Sequence, residues 1–153
     1  MTFPERAVQA CVRAMSVGRV SERHIRDVLK FDDVDVVDVE PFLNSKNEFV
    51  RAGAVRIVGA HGDMGKLAET AKEEKNRAIL GQIINAFCER PEGIKEVVHL
   101  LESDDPVVFE ETIDMFRRLG RADCLFGLVF HEDKELVERV KRYINEHREA
   151  SRS

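Results

Sequence analysis

The stretch Asn47–Asp63, NEFVRAGAVRIVGAHGD, contains a helix pattern that returns three times later in the chain. It returns as NRAILGQIINAFCERPE from Asn76, as DPVVFEETIDMFRRLGR from Asp105 and as DKELVERVKRYINEH from Asp133. The copies therefore start 29, 29 and 28 residues apart. Each copy starts with Asn or Asp, whose side chain accepts hydrogen bonds from the free N–H groups of a helix's first turn. The spacing predicts the second helices of a series of helix pairs.

Apolar residues, with the single exception of Thr112, recur in every copy at intervals of four positions, which places them on one stripe of a helix. The three columns are Val50, Ile79, Val108 and Leu136; Ala54, Ile83, Thr112 and Val140; and Val58, Phe87, Phe116 and Ile144. Val39, Ala68, Val97 and Leu125 form a similar column in the shorter first helices. A helix pair of about 30 residues cannot bury its own apolar face, so neighbouring pairs must stack and share one core.

Two further columns predict where this stack ends. Val55, Ile84 and Ile113 are followed by Lys141, and Phe49, Ala78 and Val107 are followed by Glu135. We interpret the change from apolar or small to charged as a C-terminal cap. The chain then divides into a degenerate N-terminal helix pair at 4–30, repeats at 34–62, 63–91, 92–120 and 121–147, and a frayed tail at 148–153.

The segment 31–40, FDDVDVVDVE, interrupts this pattern with a partial alternation of Val and Asp. A lone strand would leave its backbone groups unpaired, so the sequence predicts a loop and then a short helix with Pro41 in its first turn. At the N-terminus, Thr2 and Glu5 have the spacing of a capping box. Gly18 can end the first helix in the left-handed conformation.

The segment 47–58, NEFVRAGAVRIV, resembles the second helix of a HEAT repeat, with a polar cap, then Val-Arg, then small and apolar residues. The resemblance covers about residues 34–147 and implies an all-α superhelix, a solenoid of about five stacked antiparallel helix pairs with second helices along a concave face. The period is shorter than the ~40–47 residues usual for the family. The arginine of Val-Arg is present only as Arg51, which argues against a ladder of Asp–Arg bonds along the stack.

Composition narrows the class of partner and the compartment. The net charge of −5 disfavours nucleic acid as a general partner, since binding a phosphate backbone needs a basic field. No apolar run approaches the ~20 residues of a membrane span, and no secretory leader precedes the first helix. Cys11, Cys88 and Cys124 form no CxxC pair and are odd in number, which favours a reducing, cytoplasmic setting.

The implied concave face carries a row of polar side chains that predicts a binding site for a protein partner. Its members are Arg56, Asn85, Asp114 and Arg142, with Arg117 one turn from Asp114. Arginine suits bidentate contacts with carboxylates, although the same row can also be a solvated surface. The small residues Ala52, Gly53, Gly59 and Gly81 nearby permit close approach of a partner, or of another helix.

These patterns predict a non-catalytic protein–protein interaction or scaffold module. The alternative that stays open is a HEAT-like enzyme or enzyme subunit, similar to the bilin lyases or to the iron hydroxylases. His131-Glu132 is a single His-Glu pair, whereas a metal site needs three or four converging ligands. No phosphate loop or nucleophile elbow is visible. We therefore predict no catalytic residue, no cofactor and no metal.

Overall fold

The structure of the chain, a computed structural model, describes residues 1–90, 92–101, 106–118 and 133–152. Within these ranges the chain forms eight α-helices and one 3₁₀ helix, and it contains no strand. The α-helices are α1 Phe3–Ser16, α2 Glu22–Leu29, α3 Glu48–His61, α4 Met64–Glu73, α5 Arg77–Glu89, α6 Gly93–Leu101, α7 Pro106–Arg118 and α8 Lys134–Arg152. The 3₁₀ helix is Val37–Asn44. The all-α class that the sequence predicts is confirmed.

The chain divides into two compact units, Met1–Phe87 and Cys88–Ser153. In the first unit, α1 packs against α2 and against the 3₁₀ helix, which in turn packs against α4. Helix α3 packs against α2, the 3₁₀ helix and α4. In the second unit, α6 packs against α7. The pairs α1–α2 and 3₁₀ helix–α3 therefore contact each other through both of their helices.

The repeated columns that the sequence predicts form part of the core. Among the described side chains, every member of the three second-helix columns is at least 95% buried: Val50, Ala54 and Val58; Ile79, Ile83 and Phe87; Thr112 and Phe116; and Leu136 and Val140. In the first helices, Val39, Ala68 and Val97 are buried as well. Residues 119–132, which contain the first helix predicted for the last repeat, lie outside the described part of the chain.

The helix ends follow local side-chain chemistry. Thr2 and Glu5 form both hydrogen bonds of a capping box, and Gly18 follows α1 with a φ of +69°. Asn47 and Asn76 accept hydrogen bonds from the first-turn N–H groups of α3 and α5, and Asp133 does the same for α8. These helix starts are confirmed.

The segment before α3 differs from the prediction in the place of its proline. A loop does precede a short helix, but that helix is of the 3₁₀ type, and Pro41 is its fifth residue rather than part of its first turn. Proline has no N–H to donate and disfavours the α conformation of the preceding residue, so a regular α-helix cannot run through this point.

Two columns were interpreted as a C-terminal cap, and the one through Phe49 and Ala78 is not buried in these earlier repeats. Phe49 is 84% exposed and Ala78 is also exposed, although Val55, Ile84 and Ile113 of the other column are buried. Phe49 precedes Val50 by one residue and so points about 100° away from the buried stripe. It also lies in the first turn of α3, where the described neighbours do not cover it. The cap interpretation of this column is therefore wrong.

Candidate functional site

The structure divides the five predicted binding residues between the two units. Arg56 on α3 and Asn85 on α5 belong to the first unit. Asp114 and Arg117 on α7 and Arg142 on α8 belong to the second. Asn85 and Asp114 are half-buried, whereas Arg117 and Arg142 are exposed. Two of the five predicted binding residues therefore lie in the first unit and three lie in the second.

In the first unit, Arg56 is engaged by a neighbouring helix. Its Nη1 donates a hydrogen bond of 2.6 Å to Oε2 of Glu22, the first residue of α2. Arg26 donates to the other oxygen of the same carboxylate at 3.3 Å. The hydrogen bond from Arg56 lowers the pKa of Glu22, and the charge of Arg26 adds to this effect. A partner that binds Arg56 must therefore compete with the carboxylate of Glu22.

Two of the small residues near this surface serve helix packing. A Cβ atom at Gly59 would lie 2.8 Å from the Cβ of Ala86 on α5. At Gly53 it would lie 3.0 Å from Cδ1 of Ile25 on α2. Both glycines are buried, and their lack of a side chain lets α3 approach these two helices closely. Of the two explanations offered by the sequence, the packing of one helix on another accounts for Gly53 and Gly59.

A site that the sequence did not indicate lies at the other end of α3, around Arg51. Its Nε donates to Oε2 of Glu74 at 2.7 Å, and its Nη2 donates to Oε1 of the same carboxylate at 3.0 Å. Its Nη1 donates to the carbonyl oxygen of Ser45 at 2.9 Å. Only 17% of the Arg51 side chain and 2% of the Glu74 side chain are exposed. This is a buried, bidentate ion pair.

The Arg51–Glu74 pair forms part of the wall of a surface groove of about 610 Å³, which we call the Arg51 groove. The groove is lined by Leu43, Asn44, Ser45, Lys46, Glu48, Arg51, Thr70, Glu73, Glu74, Lys75 and Asn76. A second concavity, of about 690 Å³, follows the 3₁₀ helix and α4 and shares Leu43, Asn44, Thr70 and Glu73 with the first. Side chains of both charge signs line the Arg51 groove, so it suits hydrogen bonds and salt bridges with a polar segment.

In the second unit, an arginine joins three helices. The guanidinium of Arg139 on α8 lies 4.2 Å from the ring centroid of Phe109 on α7. Its Nη1 donates to the carbonyl oxygen of Leu101, the last residue of α6, at 3.4 Å. Phe109 occupies the position that Arg51 occupies in the first copy of the pattern. The face of an aromatic ring attracts a cation, so the contact between Arg139 and Phe109 links α8 to α7.

Comparisons with known proteins supply no further functional residues: no family model, no curated protein and no solved structure matches the chain. Within the part of the chain that the structure describes, no three His, Cys, Asp or Glu residues are placed to hold a metal ion. His131 and Glu132 lie outside it. In the same described ranges, no helix has the combination of length and apolarity that crossing a membrane requires.

Proposed function

We propose that the chain is a non-catalytic protein-interaction module, a HEAT-like solenoid that binds a partner protein through exposed side chains of its second helices. The contacts of the first unit support the stacked arrangement, because the 3₁₀ helix packs on both α1 and α4 while α2 packs on α3. The burial of the repeated columns supports it as well, since shared cores are what hold helix pairs together in such repeats.

The observation that carries the proposed binding surface is the junction of α7 and α8. Arg117 and Arg142 are exposed on two helices that Arg139 and Phe109 hold together. A guanidinium presented on a rigid helix loses less freedom on binding than one on a mobile loop. Arginine also offers a planar pair of donors that matches a carboxylate. We therefore expect a partner with surface carboxylates that contacts Arg117 and Arg142, with Asp114 as a further polar contact.

In the first unit, the proposed contacts are Arg56 and Asn85. Glu22 already binds Arg56 at 2.6 Å, so a partner's carboxylate gains there only the difference between its own contact and that of Glu22. We expect the contribution of Arg56 to affinity to be small for this reason.

The test compares two double charge reversals of equal size. Tagged wild-type protein is used to capture partner proteins from cells of the source organism. A captured partner is then purified, and the Kd of its complex with each variant is measured. We expect Arg117→Glu/Arg142→Glu to weaken binding at least tenfold and to leave the free energy of unfolding within about 0.5 kcal/mol per site, as is usual for exposed positions. Arg13→Glu/Arg19→Glu, at exposed positions in and after α1, is the control for net charge.

If Arg117→Glu/Arg142→Glu binds as tightly as wild type, this surface is only solvated and the proposal fails. If both double variants weaken binding equally, the effect comes from overall charge and the surface is again not the binding site. The proposal requires the loss to be specific to α7 and α8.

A further inference from the structure

The Arg51–Glu74 pair connects two inter-helix turns of the first unit. Arg51 lies in the first turns of α3 and binds the Ser45 carbonyl in the turn that precedes its own helix, at 2.9 Å. With its other nitrogens it binds Glu74, which lies in the turn between α4 and α5, at 2.7 and 3.0 Å. A single side chain therefore joins the turns that lead into two successive second helices.

Glu74 extends this connection to the start of α5. Its Oε1 also accepts a hydrogen bond of 3.0 Å from the backbone N–H of Asn76. The Oδ1 of Asn76 in turn accepts from the N–H groups of Ala78 and Ile79, at 2.9 and 3.2 Å. A continuous series of hydrogen bonds thus runs from α3 through Glu74 to the first turn of α5.

Because the Glu74 side chain is buried, breaking its hydrogen bonds to Arg51 also affects the rest of this series of hydrogen bonds. The Glu74 side chain is 2% exposed, and a carboxylate left in such a place without its cation is strongly disfavoured. If the hydrogen bonds from Arg51 break, the Glu74 carboxylate must be hydrated instead, and a movement of the 74–76 turn toward the groove exposes it to water. That movement withdraws the acceptor from Asn76, whose side chain caps α5.

We propose that the Arg51–Glu74 pair is a latch that governs a partial opening of the fold. In the open state, the 74–76 turn and the first turn of α5 leave α3, while α1, α2 and the rest of α3 remain folded. Proteins commonly open in such cooperative parts at free energies below that of global unfolding. Both latch residues line the Arg51 groove, so the opening also changes the shape of that groove. The latch does not depend on the interaction function proposed above.

Amide hydrogen exchange followed residue by residue by NMR tests the latch in the full chain. Glu74→Gln keeps the shape of the side chain and removes its charge. We expect it to accelerate exchange at Ala78, Ile79 and Leu80 at least tenfold and to change the amides of α1 less than threefold. Glu73→Gln is the matched control, because Glu73 is the exposed neighbour in the same groove. It should leave all of these rates within twofold of wild type.

Arg51→Lys is the second variant, since it keeps the charge and loses the bidentate geometry; it should accelerate the same three amides. When Arg51→Gln is already present, Glu74→Gln should accelerate exchange at these amides by less than a further threefold, because the effects of two residues that act through one interaction are not additive. The proposal is overturned if Glu74→Gln leaves the α5 amides unchanged, if it accelerates α1 and α5 equally, or if its effect is as large without Arg51 as with it.

Discussion

The guanidinium of Arg56 lies 2.6 Å from Oε2 of Glu22, and this ion pair joins the middle of α3 to the first residue of α2. Half of the Glu22 side chain is exposed, so water and salt screen the pair. Its contribution to stability is small for that reason. Its effect on the protonation of Glu22 is nevertheless specific, because Arg56 binds the charged form of the carboxylate directly.

The ion pair between Arg56 and Glu22 should affect how the stability of the fold depends on pH. Its hydrogen bond holds the pKa of Glu22 below the ordinary value in the folded state. The stabilisation is therefore fully present above the ordinary glutamate pKa of about 4.3 and is lost as the pH falls through the lower folded value. We expect Glu22→Gln to flatten the fall of the urea midpoint below about pH 5. Glu69→Gln, at an exposed position on α4, should follow wild type. Identical curves for Glu22→Gln and wild type would contradict the prediction.

Gly59 should tolerate a methyl group less well than Gly53. A Cβ at Gly59 would lie 2.8 Å from the Cβ of Ala86, which is fixed to the backbone of α5, so the two helices must separate. At Gly53 the nearest atom is the terminal methyl of Ile25, at 3.0 Å, which can rotate away. Alanine favours a helix by about 1 kcal/mol over glycine, and overpacking costs about 1–3 kcal/mol.

We therefore expect Gly59→Ala to lower the free energy of unfolding by up to about 2 kcal/mol, and Gly53→Ala to change it little. Urea denaturation of both variants measures the difference. If Gly59→Ala is the more stable of the two, α3 and α5 do not approach each other as closely as described.

The sequence predicted the helices of this protein better than the contacts between them. The capping box of Thr2 and Glu5, the left-handed Gly18 and the apolar stripe through Val50 each depend on residues within one helix or directly beside it. Local geometry determines such features, so a repeated local pattern reveals them. The 3₁₀ form around Pro41 was harder to predict from the sequence, because proline excludes a regular α-helix without specifying which structure replaces it.

The candidate sites depend on residues that are distant in sequence. The pairs Arg51–Glu74 and Arg56–Glu22 join positions 23 and 34 residues apart. No arginine recurs in the column of Arg51, and the column of Arg56 contains only one other arginine, Arg142. The sequence placed Arg56 on the implied concave face but gave no sign that Glu22 would reach it. For Arg51, the missing arginines at the equivalent positions argued against a ladder, yet one isolated pair needs no repetition.

Cys11 should be the less reactive of the two cysteines that the structure describes. It is fully buried on α1, and burial raises the pKa of its thiol to about 11, so little thiolate exists at pH 8. We expect iodoacetamide at pH 8 to alkylate the half-buried Cys88 at least tenfold faster, as measured by peptide mass spectrometry. In denaturant the two rates should converge.

The same shift gives Cys11 a pH signature. The folded state holds the thiol proton more tightly than the unfolded state does, so its contribution to stability falls as the pH rises from the ordinary thiol pKa of about 8.5 toward about 11. Cys11→Ala should reduce this alkaline loss. Rapid alkylation of Cys11 in the folded protein would show instead that α1 opens easily.

Phe49 and Val50 are adjacent on α3 and provide the sharpest test of which face of the repeats is buried. Phe49 is 84% exposed, whereas Val50 is 1% exposed within the stripe shared by the second helices. Phe49→Ala removes more apolar surface than Val50→Ala, but it takes that surface from water rather than from the core. We expect Phe49→Ala to change the free energy of unfolding by no more than about 0.5 kcal/mol. Val50→Ala should cost about 2–3 kcal/mol, from the lost burial and the cavity that remains. Urea denaturation at equal protein concentration measures both. A larger cost at Phe49 than at Val50 would mean that its ring is covered in solution, as the apolar column through Ala78 and Val107 had suggested.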